Sequence, residues 1–204
     1  MAEAVAAPAL GRLVVVGLGL IGGSFAKGLR DKGLFREVIG VDLDPESRRM
    51  AVELGVVDRC EEDLAAACVG ADVIQLAVPI LAMQKLLGAL AQLPLGDAVL
   101  TDVGSAKGNV VRAAALAFDG VPPRFVPGHP IAGSEQSGVE ASNGQLFRRH
   151  KVILTPLADT DGAALQMVDR LWRELGADVE HMEVEHHDEV LAATSHLPHL
   201  LAFG

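Results

Sequence analysis

The sequence predicts an α/β protein with a doubly wound, mostly parallel sheet, and three observations carry that expectation. Short β-branched runs alternate with helical patterns along most of the 204 residues, joined by short links. Half of the residues are hydrophobic but only 3% are aromatic, with no Tyr and one Trp. An aliphatic, glycine-rich chain of this kind suits parallel strands buried on both faces.

Taken in order, Leu13–Gly17 is a β-branched run that stops at glycine and is expected to be a buried strand. Leu20–Lys32 follows as a helix whose first half is small and apolar, suited to packing against a sheet, and Gly33 ends it. Glu37–Asp42 is the second strand, and Pro45 opens a helix reaching about Gly55, because proline in a first turn loses no hydrogen bond. Ala71–Val78 is a strand stopped by Pro79, and Leu81–Leu93 is a helix. Ala98–Asp102 is the next strand, with Ser105 placed to cap a helix to about Phe118. Arg124–Pro127 is short and extended. Lys151–Thr155, Gly162–Leu175 and Ala177–His181 are expected as strand, helix and strand, and a further helical pattern begins near Glu183.

The first strand-to-helix turn reads GLGLIG, which puts Gly17, Gly19, Leu20, Ile21 and Gly22 in the arrangement of a Rossmann-type dinucleotide site. Gly17 permits the tight turn, Gly19 lets a pyrophosphate approach the backbone, and Gly22 lets helix and strand pack closely. The phosphates would sit on the helix N-terminus, where free N–H groups and the dipole favour anions. The same glycines are also compatible with a turn that binds nothing. Asp42 stands twenty residues after Gly22, at the end of the second strand, where an acid bonds the ribose hydroxyls. That carboxylate would repel a 2′-phosphate, favouring NAD over NADP, although Arg48 and Arg49 follow closely. Asp42 can equally be read as an acid offsetting the helix dipole, a role open to Asp44 as well.

Three segments are expected at the carboxyl ends of the strands, where ligands of such sheets bind: Val78 and Pro79 in AVP, Ser105 in DVGSAKG, and His129 in GHPIAG. Pro127 and Pro130 restrict the backbone around His129, which would hold an imidazole in one place for general-base work. The alternative is a partly buried His bonded to a loop carbonyl, and the alternative for Ser105 is a plain helix cap. His196 and His199 are three apart, but Pro198 lies between them and no third ligand is evident, so no metal is expected. His186 and His187 fit a solvated helix start.

The motifs VVGLGLIGGSFAKGL, TDVGSAKG, GHPIAGSEQSGVE, VILTP and SHLPHLLAF together resemble the prephenate dehydrogenase family, which includes arogenate and cyclohexadienyl dehydrogenases. The resemblance covers nearly all of the chain from about Leu13. It implies an NAD-dependent oxidative decarboxylation of prephenate or arogenate in tyrosine synthesis. It implies that His129 takes the proton of the ring hydroxyl and that Ser105 orients either His129 or that hydroxyl. Ser134 and His199 would line the substrate pocket, with Glu135 a polar gate. It also implies a homodimer built by a second, helical domain. On that reading residues 1–182 are the dinucleotide-binding domain and 183–204 the beginning of the helical domain, whose remainder, with its carboxylate-binding arginine, is expected to be absent.

The formal charge of −10 argues against a nucleic-acid partner, because phosphate binding needs a basic patch. The longest early apolar run is broken by glycines, too short to span a bilayer and not preceded by a basic segment, so neither a membrane span nor a leader is expected. Cys60 and Cys68 lack metal or redox spacing, which fits buried thiols in a cytoplasmic protein. Two other readings remain: a different small-substrate dehydrogenase, such as a hydroxy-acid or imino-acid reductase, and a nucleotide-binding domain without turnover.

Overall fold

Residues Leu10–Val16 form the first strand, β1, three residues earlier than the apolar run suggests. Leu13, Val14 and Val15 are fully buried, each contributing about 1.5–3 kcal/mol of hydrophobic stabilisation. The computed structural model describes residues 10–133 and 136–192. After β1 come α1 (Leu20–Asp31), β2 (Phe35–Val41), α2 (Pro45–Glu53), β3 (Arg59–Glu61), α3 (Leu64–Cys68) and β4 (Val73–Leu76). Then follow α4 (Ile80–Leu90), β5 (Val99–Asp102), α5 (Lys107–Phe118), β6 (Phe125–Val126) and β7 (Gly128–Pro130). A 3-10 turn at Val139–Ala141 leads to β8 (Lys151–Leu154), α6 (Gly162–Glu174), β9 (Asp178–His181) and α7 (Val184–Leu191).

The strand order β3-β2-β1-β4-β5-β6 is that of a Rossmann-type doubly wound sheet, as expected. Leu13 of β1 lies between Val38 of β2 and Val73 of β4, all in parallel register. The winding direction reverses between β1 and β4, so a crevice opens beyond the carboxyl ends of those two strands.

The chain divides into two compact units. The first holds the residues up to Ala77 together with Pro94–Ala98 and Gly133–Leu146; the second holds Val78–Leu93, Val99–Ala132 and the chain from Phe147 onward. In the first, the buried face of α1 is made of Gly22, Gly23, Ser24, Phe25, Ala26, Gly28 and Leu29. Its small residues receive the 139–146 segment. The hydroxyl of Ser24 accepts the Asn143 N–H at 2.9 Å, and a Cβ on Gly23 would lie 2.0 Å from the Ser142 hydroxyl. In the second unit, α5 packs against α4 and α7, and Phe147 meets Trp172 of α6 edge to face.

Two elements between Gly55 and Ala71 carry no sequence signal. β3 is only RCE, held by the Arg59–Glu37 ion pair at 2.7 Å rather than by an apolar pattern, and α3 is a five-residue helix. The strands after β6 also differ from a single continuing sheet. β7, β8 and β9 form a separate three-stranded sheet in which β7 runs antiparallel to β8. Pro127 has no N–H to extend the ladder of β6, and its carbonyl instead accepts the Thr155 N–H at 2.9 Å. Among the described residues, no helix is long and apolar enough to cross a membrane.

Candidate active site

In the first unit, the turn after β1 has the geometry of an anion cradle. Gly17 adopts φ +97°, a left-handed conformation that favours glycine. A Cβ on Gly22 would lie 2.0 Å from the Gly17 carbonyl oxygen and 2.7 Å from the Ala77 side chain, so only glycine allows α1 to approach β1 and β4 this closely. A Cβ on Gly19 would meet nothing within 4 Å, so the backbone there is open to a ligand. Gly19 caps α1 without a side-chain bond and the first turn holds no acid, which leaves its N–H groups available to a phosphate. The turn thus fits a dinucleotide.

Asp42 follows β2, and one of its oxygens accepts the Leu18 N–H at 2.8 Å within the glycine turn. The other accepts the Asp44 N–H at 3.0 Å, and each carboxylate oxygen retains a lone pair for a ribose hydroxyl. The helix-capping role belongs to Asp44, which accepts the Glu46 and Ser47 N–H groups at the start of α2. Arg48 is occupied: it donates to the Asp42 carbonyl at 2.8 Å and pairs with Glu62.

In the second unit, a connected polar chain surrounds His129 on β7. Asp102 closes β5 fully buried, and its carboxylate accepts from the equally buried Lys107 ammonium at 2.5 Å and from the Gly104 N–H at 2.7 Å. The Lys107 ammonium also donates to the Gly128 carbonyl at 2.5 Å, and the Gly128 N–H donates to Asp102 at 3.2 Å. The residue before His129 is therefore clamped at both backbone groups. The His129 ring places Nδ1 3.0 Å from Nε2 of His187, and Nδ1 of His187 lies 2.8 Å from Asp188. Asp188 in turn accepts the Lys107 and Gly108 N–H groups, each at 2.9 Å.

Burial, reinforced by the Lys107 charge and by His187, pushes the His129 pKa down to about 4, and Asp188 opposes that shift only in part. The ring is thus neutral near pH 7 and able to take a proton. Burial also lowers the Lys107 pKa, opposed by the Asp102 carboxylate. Asp188 is held below the usual carboxylate range: burial raises it, but the Gly108 N–H, His187 and the Lys107 N–H outweigh that cost.

Several expected residues come together and others do not. Gly17, Gly19, Leu20, Ile21, Gly22 and Asp42 share one turn in the first unit. Val78, Pro79, Ser105 and His129 belong to the second, with Val78 half-buried, Pro79 capping α4 and Ser105 exposed. Ser105 does not cap α5. Ala106 stands at that position without a side-chain bond, and the N-terminal N–H groups of α5 are taken instead by Asp188 of α7. His129 receives no bond from Ser105 among the described residues; its ring partner is His187. His187 is fully buried rather than solvated, because α7 docks it against β7, while His186 is exposed. Ser134, Glu135, His196 and His199 lie outside the described residues. The residues missed outright are Asp102, Lys107 and Asp188, although two of them stand in the TDVGSAKG motif and the third adjoins the paired histidines.

The chain is 37% identical over 192 residues to cyclohexadienyl dehydrogenase of Zymomonas mobilis, covering 94% of this chain and 64% of that protein. It is 36% identical over 194 residues to prephenate dehydrogenase of Bacillus subtilis, covering 93% and 51%. The chain thus spans between half and two thirds of the length of these relatives. The crystal structure of prephenate dehydrogenase from A. aeolicus in complex with hydroxyphenyl propionate and NAD+ superposes with a TM-score of 0.87 at 41% identity, over 95% of this chain and 67% of that one. The family model described as "Prephenate dehydrogenase, nucleotide-binding domain" matches residues 25–181, and the chain belongs to that family.

Proposed function

We propose that this chain is the cofactor-binding and proton-accepting part of an NAD-dependent dehydrogenase that oxidatively decarboxylates prephenate or arogenate. The observation that carries the reading is the neutral imidazole of His129. It is held by the Gly128 clamp, and one ring nitrogen is left without a partner among the described residues. The relative crystallised with NAD+ and an aromatic acid supports both the cofactor and the substrate class.

NAD, when bound, supplies the hydride acceptor. Gly17, Gly19 and Gly22 admit its pyrophosphate to the α1 N-terminus, with the Leu20 and Ile21 N–H groups facing it, and Asp42 holds the ribose hydroxyls. The Asp42 carboxylate disfavours a 2′-phosphate, and NAD is preferred to NADP. Val78 and Pro79 line the cofactor's nicotinamide side. His129 accepts the proton of the substrate's ring hydroxyl as the hydride leaves the same carbon, turning that carbon into a carbonyl. The ring carboxylate then departs as CO2, and its bonding electrons make the ring aromatic and the oxygen a phenolate. His129 returns the proton to that oxygen, so the residue ends as it began. Ser105, free of a capping role, bonds the ring hydroxyl. Ser134, Glu135 and His199 complete the substrate pocket. Residues 1–182 serve as the dinucleotide-binding domain, 183–204 begin a helical domain, and the whole protein is a homodimer working in the cytoplasm.

The test is NADH formation by the 204-residue chain supplied with NAD and prephenate, with arogenate in parallel. Substrate-dependent NADH supports the reading. Retained NAD binding without NADH from either substrate would refute turnover by this chain and favour the cofactor-domain reading.

A further inference from the structure

We propose that His187 and Asp188 are positioning residues that hold His129 in the Nδ1–H tautomer, so that Nε2 is its proton-accepting atom. The inference rests on the reading of His129 as the base, and it follows from counting hydrogens along one chain of contacts.

Asp188 accepts two backbone N–H groups at the start of α5, from Lys107 and Gly108 at 2.9 Å each, so it is fixed in place and kept ionised. An ionised carboxylate has no hydrogen to give. The hydrogen in its 2.8 Å contact with His187 therefore sits on Nδ1 of that ring. In a neutral His187 this leaves Nε2 as an acceptor. The 3.0 Å contact from that Nε2 to Nδ1 of His129 needs one hydrogen, and only His129 can supply it. His129, held neutral by burial, then carries its lone pair on Nε2, which has no partner among the described residues. The ring centroids lie 5.2 Å apart with the planes inclined at 66°, so the rings approach through their nitrogen edges rather than stacking. A carboxylate behind an imidazole sets tautomer and orientation in hydrolytic triads and in metal sites; here a second imidazole is interposed. When Nε2 of His129 takes the substrate proton, the positive ring donates more strongly through Nδ1, and Asp188 stabilises that charge through His187.

The test is imidazole nitrogen NMR on the 15N-labelled 204-residue chain near pH 7.5, with His129 and His187 assigned from single variants. The expected spectrum shows a protonated Nδ1 and an unprotonated Nε2 on both rings. His187→Gln, whose amide oxygen still accepts, should keep the His129 pattern, whereas His187→Leu should shift His129 toward the Nε2–H form. With substrate, His187→Leu should lower kcat about 10²-fold or more, while its KM for NAD is unchanged and His187→Gln recovers much of the loss. A wild-type His129 carrying its hydrogen on Nε2, as a doubly protonated His187 would impose, overturns the proposal without any variant. So does a His129 pattern unaltered in His187→Leu. The spectrum is independent of turnover: the expected tautomers with no NADH from either substrate would refute turnover by this chain and leave the tautomer assignment standing.

Discussion

Replacing Lys107 with Met keeps a chain as long as the lysine's methylene stem and removes the ammonium, and its cost can be worked from the surroundings. Both Lys107 and Asp102 are fully buried, 2.5 Å apart, and the ammonium also binds the Gly128 carbonyl at 2.5 Å. Removing one member of a buried pair strands the other charge and costs about 3–5 kcal/mol. Asp102 retains the Gly104 and Gly128 N–H groups, which places the loss toward the lower end, about 3 kcal/mol. For a chain of this size that lowers the melting temperature by about 6–12 °C. Urea unfolding followed by fluorescence reads it directly, because the single tryptophan, Trp172, is fully buried. Adding Asp102→Asn removes the stranded charge and should recover part of the loss. A loss below about 1 kcal/mol, or a double variant no more stable than Lys107→Met alone, would refute the claim that this pair is a matched buried charge.

Other outcomes follow from the same structure. Gly22→Ala forces a Cβ to within 2.0 Å of the Gly17 carbonyl and should destabilise the fold by about 1–3 kcal/mol or more. Gly19→Ala meets nothing within 4 Å, so it should leave thermal stability unchanged while calorimetry shows NAD affinity at least about tenfold weaker; unchanged affinity would move the pyrophosphate elsewhere. His129→Asn should lower turnover by about 10²–10⁴-fold with NAD binding retained, and full turnover would remove His129 from the mechanism. With its pKa pushed down to about 4 from 6.5, His129 should place the acid limb of kcat/KM well below 6.5. The unfolded chain takes that proton first, so the contribution to stability is complete above about pH 6.5 and lost as pH falls toward 4. It amounts to about 2 kcal/mol after allowance for the ring's partial exposure, and His129→Asn should flatten that part of the stability profile. Burial pushes both Cys60 and Cys68 up to about 11, so alkylation of the native chain at pH 8 should be far slower than in urea.

What could be read from the sequence was whatever depends on near neighbours. Gly17, Gly19 and Gly22 stand in a strand–turn–helix whose geometry is settled within a dozen residues, and Asp42 directly follows the adjacent strand. His187 could not be read in the same way. It lies in the polar run EVEHHDEV, where residue type alone argues for solvent, and its burial depends on contact with a residue 58 positions earlier. Ser105 shows the same limit from the other side. The local rule favours a hydroxyl just before a helix, yet the carboxylate that satisfies α5 comes from 80 positions further on. β3 escaped because charged pairs, not apolar alternation, hold it to β2.

The three residues of β7 face Val152–Leu154 in antiparallel register, with His129 opposite Ile153. Side chains on a strand alternate, so sliding by a single residue would turn the imidazole to the opposite side of the sheet. A ladder this short cannot enforce its own parity. The anchor lies upstream, where Asp102 and Lys107 grip both polar groups of Gly128. The stretch between Ile131 and His150 is thereby relieved of any duty to keep the alignment. Changes of length there need not turn His129 to the other side of the sheet, and the 139–146 part keeps its own anchor on α1 through Ser24 and Gly23.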